Sequence, residues 1–204
     1  MDDSVTLSDH AVSKTGQMLP YPEGRSMRAL FRAPLLGWRL GLGRILGHPF
    51  LVITTRGRRS GVPRRAVLEY RVLRGKIYVI SGFGSRASWY QNLVADPRVT
   101  VQTWQGPESM VASRITDADA LRDVYDLFMR QYPVFFRQYL LSLSIQPDDL
   151  DAFIALKDRA FVLRFDPTDA PTPPPLEADL AWVWPLAFVL ASLWWVARRR
   201  RKHG

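Results

Sequence analysis

The sequence predicts a mainly β domain of the α+β class, a small barrel of about six antiparallel strands with helices inserted between them. Two observations predict it. Between residues 50 and 115, runs rich in Val, Ile, Leu, Thr and Tyr alternate with short turns such as Arg74-Gly75 and Gln105-Gly106-Pro107, and spacings of that length pair strands antiparallel. From 116 to 158 the pattern changes to helical, before a last strand-like run over 161–165.

Taken in chain order, the first candidate element is 27–47. Leu30, Phe31, Leu35, Leu36, Trp38 and Leu40 are interleaved there with Arg28, Arg32, Arg39 and Arg44, a basic amphipathic pattern interrupted by Pro34 and the glycines at 37, 41 and 43. It reads either as a lipid contact or as a short helix packed on the domain. Strands are expected over 50–55, 64–73, 76–81, 98–104 and 109–115. Residues 88–95 read as a short helix stopped by Asp96-Pro97. Thr116 with Asp119 resembles a capping box opening a helix to Gln131, and further helices are expected over 133–144 and 147–158. The stretch from Asp166 to Pro175 is proline-rich and reads as a stiff, extended linker.

The tail, 181–197, is an uncharged run of 17 residues with tryptophans at 182, 184, 194 and 195, followed by Arg198-Arg199-Arg200-Arg201-Lys202. Tryptophan near both ends and a length at the short limit for a span predict a membrane-associated helix with lipid as partner, and Pro185 falls in its first turn. The charge rule would keep the arginines in the cytoplasm and the domain outside, yet the acidic, polar N-terminal stretch has no signal-peptide core. The expectation is a membrane-associated chain with its domain in the cytoplasm, its tail lying at the interface or crossing against the charge rule. Four parts follow: an extension over 1–47, a barrel over 48–167, a linker over 168–180 and the hydrophobic helix with its basic tail over 181–204.

Charge divides the chain along similar lines. The net +9 is +2 over 1–47, +8 over 48–114, −6 over 115–197 and +5 over 198–204. With no cysteine and histidines only at 10, 48 and 203, thiol chemistry and thiolate metal sites are excluded and no metal site is expected. The positive field centres on Arg56-Gly57-Arg58-Arg59-Ser60-Gly61, with Arg64 and Arg65 beyond. Glycines at 57 and 61 suit a turn with positive φ that brings amides to a ligand, and the guanidinium forks suit phosphate or carboxylate. A nucleic-acid binder would also carry such charge, but no nucleic-acid motif is present and the arginines cluster in one turn instead of lining a face.

Ile53-Thr54-Thr55-Arg56-Gly57-Arg58-Arg59-Ser60-Gly61, Arg64-Arg65, Ser81-Gly82-Phe83-Gly84, Trp89-Tyr90-Gln91-Asn92-Leu93, Asp96-Pro97 and Val99, in that order and with those gaps, resemble the deazaflavin-dependent nitroreductase family. The resemblance covers roughly 48–167. It implies a split β-barrel that binds reduced deazaflavin coenzyme F-420 and passes a hydride from it to a quinone, a nitro-compound or a similar acceptor. It implies that Thr55, Gly57, Arg58, Arg59, Ser60, Gly61, Arg64 and Arg65 hold the phosphodiester and oligoglutamate tail. Ser81, Gly82, Phe83 and Gly84 would lie against the ring, and Trp89 and Asn92 would close the pocket. Proton donors or substrate contacts would come from Ser81 or from Tyr125, Tyr132 and Tyr139 in the helical section. Relatives often pair as homodimers through barrel surfaces. The family commonly has a lysine in these loops, where this chain has Arg59 and Gly82-Phe83. Two alternatives stand beside this reading: a flavin mononucleotide (FMN)-binding split-barrel oxidoreductase, and a membrane-tethered protein that binds cofactor without turnover.

Overall fold

A computed structural model describes residues 33–200. Seven antiparallel strands form one sheet: β1 (Phe50–Arg56), β2 (Pro63–Glu69), β3 (Arg71–Leu73), β4 (Lys76–Ile80), β5 (Arg98–Thr103), β6 (Gly106–Arg114) and β7 (Val162–Pro167). Their order is β2-β1-β5-β6-β7-β4-β3, so the sheet is open, with β2 at one edge and β3 at the other. These edges are consecutive in the chain and separated only by Tyr70. The sheet must therefore curl until its edges approach each other. Tyr70 is buried at that corner, its hydroxyl donating to the Gly47 carbonyl at 2.7 Å.

Seven strands replace the expected six because the run over 64–73 breaks at Tyr70. Its composition is strand-like throughout, and only the passage from one edge to the other divides it.

Helical residues 33–39 (α1) and Gly43–Leu46 (α2) precede the sheet, while the part of the amphipathic segment before residue 33 lies outside the described residues. Helix α3 (Ser88–Ala95) has the expected bounds. Helices α4 (Ala118–Gln131), α5 (Pro133–Ser142) and α6 (Leu150–Ala155) follow β6. The cap of α4 is Asp117, not Thr116: its side chain accepts from the Ala120 amide at 2.8 Å, the bond that a first-turn donor needs.

Two cores result. Leu51, Ile53, Val99, Val101, Phe161 and Leu163 fill the concave side of the sheet with Tyr90 and Leu93 of α3. Tyr78, Ile80 and Val162 pack instead against α4–α6, around Phe136, Tyr139 and Phe153.

The proline-rich linker is extended, as composition predicts, but it is also docked. In β1 and β5 the residues Val52, Thr54, Thr100 and Gln102 share a face opposite to that of Ile53 and Val101, and all four are buried. The linker passes over this face. The Gln102 amide pairs with Leu176 in both directions, donating to its carbonyl at 3.0 Å and accepting from its amide at 2.6 Å. Thr172 bridges Thr100 and Ser109 at 2.8 and 2.9 Å, and Thr100 donates to the Pro173 carbonyl. Beyond the linker, Arg39 clasps Asp179 through two bonds of 2.8 and 2.7 Å, and helix α7 (Val183–Arg200) begins.

Among the described residues no helix is long and apolar enough to cross a membrane. The uncharged part of α7, Val183 to Ala197, spans about 22 Å at 1.5 Å per residue, against a hydrocarbon core of about 30 Å. The spanning reading of the tail is corrected accordingly.

Candidate functional site

The β1–β2 turn closes on itself. The Gly57 amide donates to the Val62 carbonyl at 3.0 Å, while the Ser60 and Gly61 amides return to the Gly57 carbonyl at 3.2 and 2.7 Å. Gly61 has φ +68°, a conformation that only glycine adopts readily. Gly57 does not have positive φ. Its lack of a side chain matters because a Cβ there would lie 2.9 Å from the Val62 carbonyl oxygen. The expected amide cradle is also corrected: the Gly57, Arg58, Ser60 and Gly61 amides are all occupied within the protein. Anion binding must fall mainly on guanidinium groups.

Asn92 fixes this turn to α3. Nearly inaccessible at 4% exposure, it donates from Nδ2 to Thr55 Oγ1 at 3.0 Å and accepts at Oδ1 from the Arg58 amide and Arg58 Nη1, at 3.3 and 3.2 Å. The buried Thr55 hydroxyl in turn donates to the Arg64 carbonyl at 3.3 Å. Thr55, Asn92 and Arg58 thus form one chain of bonds from the sheet through the helix to the turn.

Beside the turn is an open cleft of about 540 Å³ lined by Arg56, Gly57, Arg58, Arg59, Gly61 and the segment Ala95 to Arg98. Four guanidinium groups face it with one carboxylate, Asp96. Arg98 binds Asp96 through Nε and Nη2 at 2.9 and 3.0 Å, and Arg56 Nε stands 3.3 Å from the same carboxylate. The Arg98 hydrogen bonds, opposed by burial and aided by Arg56, hold the Asp96 carboxyl below the usual carboxylate range. Arg58 is held by Asn92, whereas the exposed Arg59 makes no hydrogen bond or ion pair among the described residues. The cleft is therefore cationic by about three charges. Arg98 was missed in the sequence, read only as the start of a strand; its spacing from Asp96 was the available signal.

The other sequence-predicted residues separate into groups. Arg64 lies near the turn, its Nη2 3.5 Å from Ser60 Oγ. Arg65 stands opposite Thr54 in the register, on the linker's side, and donates to the Pro175 carbonyl at 3.2 Å; it does not line the cleft. Ser81 is fully buried. Its hydroxyl donates to the Gly84 carbonyl at 2.8 Å and the Gly84 amide returns to Ser81 at 2.9 Å, which closes the Ser81-Gly82-Phe83-Gly84 turn. Phe83 and Trp89 pack on the concave core, Trp89 edge-on to Tyr90 at 6.2 Å. Ser81, at the end of β4, and Arg114, at the end of β6, lie at the same end of the sheet as Arg56 and Arg98, as the pairings Ile80 with Val162, Arg114 with Leu163 and Arg98 with Val111 require.

The tyrosines are not brought to the cleft. Tyr125 is buried among Phe136 and Phe153 with its hydroxyl on the Pro147 carbonyl, and burial raises its pKa. Tyr139 is fully enclosed, accepts from the Phe161 amide at 3.2 Å, and is raised far above the usual phenol range by burial. Tyr132 alone of the three is substantially exposed, under the Arg71 guanidinium at 4.6 Å. Its neighbours Glu69 and Arg71 flank Tyr70, about 20 Å along β2 from the arginine turn.

One group was invisible in the sequence. Arg114, 2% exposed, has no carboxylate partner among the described residues. Its Nη2 donates to the Lys157 and Asp158 carbonyls at 3.1 and 2.6 Å, and the group lies over Phe161 at 4.5 Å.

The sequence profile of the family described as F420H(2)-dependent quinone reductase matches residues 37–142, just over half of the chain. The chain belongs to this family. It is therefore an oxidoreductase whose cofactor is coenzyme F-420. The match spans the cleft, the Ser81 turn, α3 and α4. No curated protein matches the chain. Among solved structures, an F420-H2 dependent reductase is 22% identical with a TM-score of 0.44, over 58% of this chain and 93% of that one. The heme storage protein HutZ from Vibrio cholerae is 15% identical with a TM-score of 0.41, over 66% and 92%. Neither likeness bears on the chemistry.

Proposed function

We propose that this family member is a split-barrel enzyme that reduces a quinone with a hydride from reduced coenzyme F-420, the acidic part of the coenzyme lying in the arginine cleft. The observation that carries this reading is the charge imbalance of the cleft. Four guanidinium groups surround one already engaged carboxylate, and Arg59 has no hydrogen-bond or ion-pair partner among the described residues, an arrangement that suits a phosphodiester and glutamate carboxylates. The residues present fit the coenzyme. Arg56, Arg58, Arg59 and Arg98 would hold its anionic part, with Arg64 and Ser60 at the rim.

When bound, the deazaflavin supplies the hydride. The chain's own contribution is positioning: Asn92 holds Arg58 and the turn, and the Ser81–Gly84 turn with Phe83 and Trp89 offers an apolar wall at the same end of the sheet. Arg65 serves the linker instead, and Tyr125 is held by packing. Tyr132, the exposed one of the three, is the phenol open to solvent, about 20 Å along β2 from the arginine turn. A nitro-compound could accept the same hydride, but the family match favours the quinone.

The test is oxidation of reduced coenzyme F-420 by the full chain with a quinone and, separately, a nitroaromatic acceptor. Quinone-dependent turnover that is lost in Arg59→Ala supports the proposal. Tight coenzyme binding without turnover would identify a carrier, and binding of FMN alone would remove the deazaflavin assignment.

A further inference from the structure

Helix α7 has no polar side. Trp184, Leu186, Phe188, Val189, Leu190 and Trp194 are between 49% and 75% exposed, and at 100° per residue they point around the whole helix with no gap wider than about 100°. A protein groove would cover one stripe of such a helix and leave the rest in water. Immersion covers all of it.

The two ends are charged. At the start, Asp179 is clasped by Arg39, and Trp184 Nε1 donates to the Leu40 carbonyl at 2.7 Å; at the far end the sequence runs Arg198 to Lys202, with Arg198 stacked on Trp194 at 5.0 Å. The apolar part between them is too short to place these ends on opposite sides of a bilayer. Both must then face the same surface. Leu36 and Ile45, 49% and 70% exposed, extend the apolar surface from the α1–α2 segment, where Gly41 adjoins Ala181.

We propose that α7 lies along one leaflet of an anionic membrane, buried beneath the headgroups, with Arg198–Lys202 on anionic lipid and the docked linker fixing which side of the enzyme faces the bilayer. Basic residues beside an apolar helix gain attraction from an anionic surface, and tryptophans at both ends suit the headgroup level. The linker makes the attachment stiff. Its bonds from Thr172 to Asp179 tie α7 to β5, β6 and α1, so lipid docking sets the orientation of the whole domain. This inference does not rest on the coenzyme assignment.

The experiment is flotation of the full chain with vesicles of phosphatidylcholine alone and with phosphatidylglycerol added. Partition onto the mixed vesicles is expected. It should fall at least about ten-fold on neutral vesicles, or when Arg198, Arg199, Arg200, Arg201 and Lys202 are all changed to Gln, while coenzyme binding stays unchanged. Because the chain has no cysteine, Phe188→Cys and Trp195→Cys can each carry a single nitroxide, and equal depths are expected for a helix lying flat. Three results would overturn the proposal: no partition onto either vesicle, Phe188 at mid-bilayer with Trp195 shallow, or a dimer in lipid-free buffer that Phe188→Glu returns to monomer. The last would assign α7 to a second copy of the chain.

Discussion

Replacing Asn92 by Ala should uncouple the arginine turn from the sheet. The side chain makes one well-placed buried bond, to Thr55 at 3.0 Å, and two longer ones to Arg58 at 3.3 and 3.2 Å. A buried neutral bond contributes about 1 kcal/mol, and a bond to a charged donor at longer range about the same. The Thr55 hydroxyl keeps the Arg64 carbonyl as a partner, and Arg58 can turn to water, so no stranded charge adds to the loss. The sum is about 2–3 kcal/mol, or about 5–10 °C in Tm for a chain of this size. Coenzyme affinity should fall about ten-fold or more, because Arg58 and the turn lose their fixed position. Asn92→Asp is the informative companion: it keeps an acceptor for Arg58 but loses the bond given to Thr55, whose proton stays on the Arg64 carbonyl, so stability should recover only in part, and its charge should still weaken coenzyme binding. Urea unfolding and fluorescence titration measure the two effects. If Asn92→Ala lost stability but bound coenzyme with unchanged affinity, the turn would not be the binding element and the reasoning would fail.

Three further outcomes follow from the same geometry. Asp96 has a lowered folded pKa, so it stabilises the fold above its unfolded value of about 3.9 and loses that contribution as pH falls through the lower folded value; Asp96→Asn should flatten the acid limb of a stability profile below about pH 4 and tighten anion binding at neutral pH. Gln102→Leu removes both bonds to Leu176 and should cost about 1–2 kcal/mol in urea unfolding, with proteolysis of the 168–180 linker rising before the sheet unfolds. Gly61→Ala places a side chain at φ +68° with nothing within 4 Å to clash, so only the backbone penalty of about 1–2 kcal/mol is expected; a loss above about 3 kcal/mol would show that the space is not open.

Much of the sheet was legible because its signals are local. Runs rich in Val, Ile, Leu, Thr and Tyr between short turns marked the strands, and Asp96-Pro97 stopped α3 where expected. The break at Tyr70 was not legible, since local propensity continues across it and only the curl of the whole sheet divides the run. The docking of the linker was equally hidden. Proline predicts extended backbone, but the partners Thr100 and Gln102 lie more than 70 residues away. In the site, the glycine–arginine turn was read from composition, and positive φ proved right at Gly61 and wrong at Gly57. Spacing could not show that four turn amides are taken internally, that Arg65 faces the linker, or that Tyr125 is locked by Pro147. Arg98 escaped notice because it was read only as the opening of a strand, although its position two residues after Asp96 offered the pairing.

The most direct test of the account is equilibrium binding of reduced coenzyme F-420 to the wild type and to Arg59→Ala with Arg98→Ala, at low and high salt. Loss of two guanidinium contacts should weaken binding about a hundred-fold at low salt and shallow its salt dependence, with the fold intact by circular dichroism. Unchanged affinity and salt dependence in the double variant would contradict the placement of the coenzyme's anionic part in the arginine cleft.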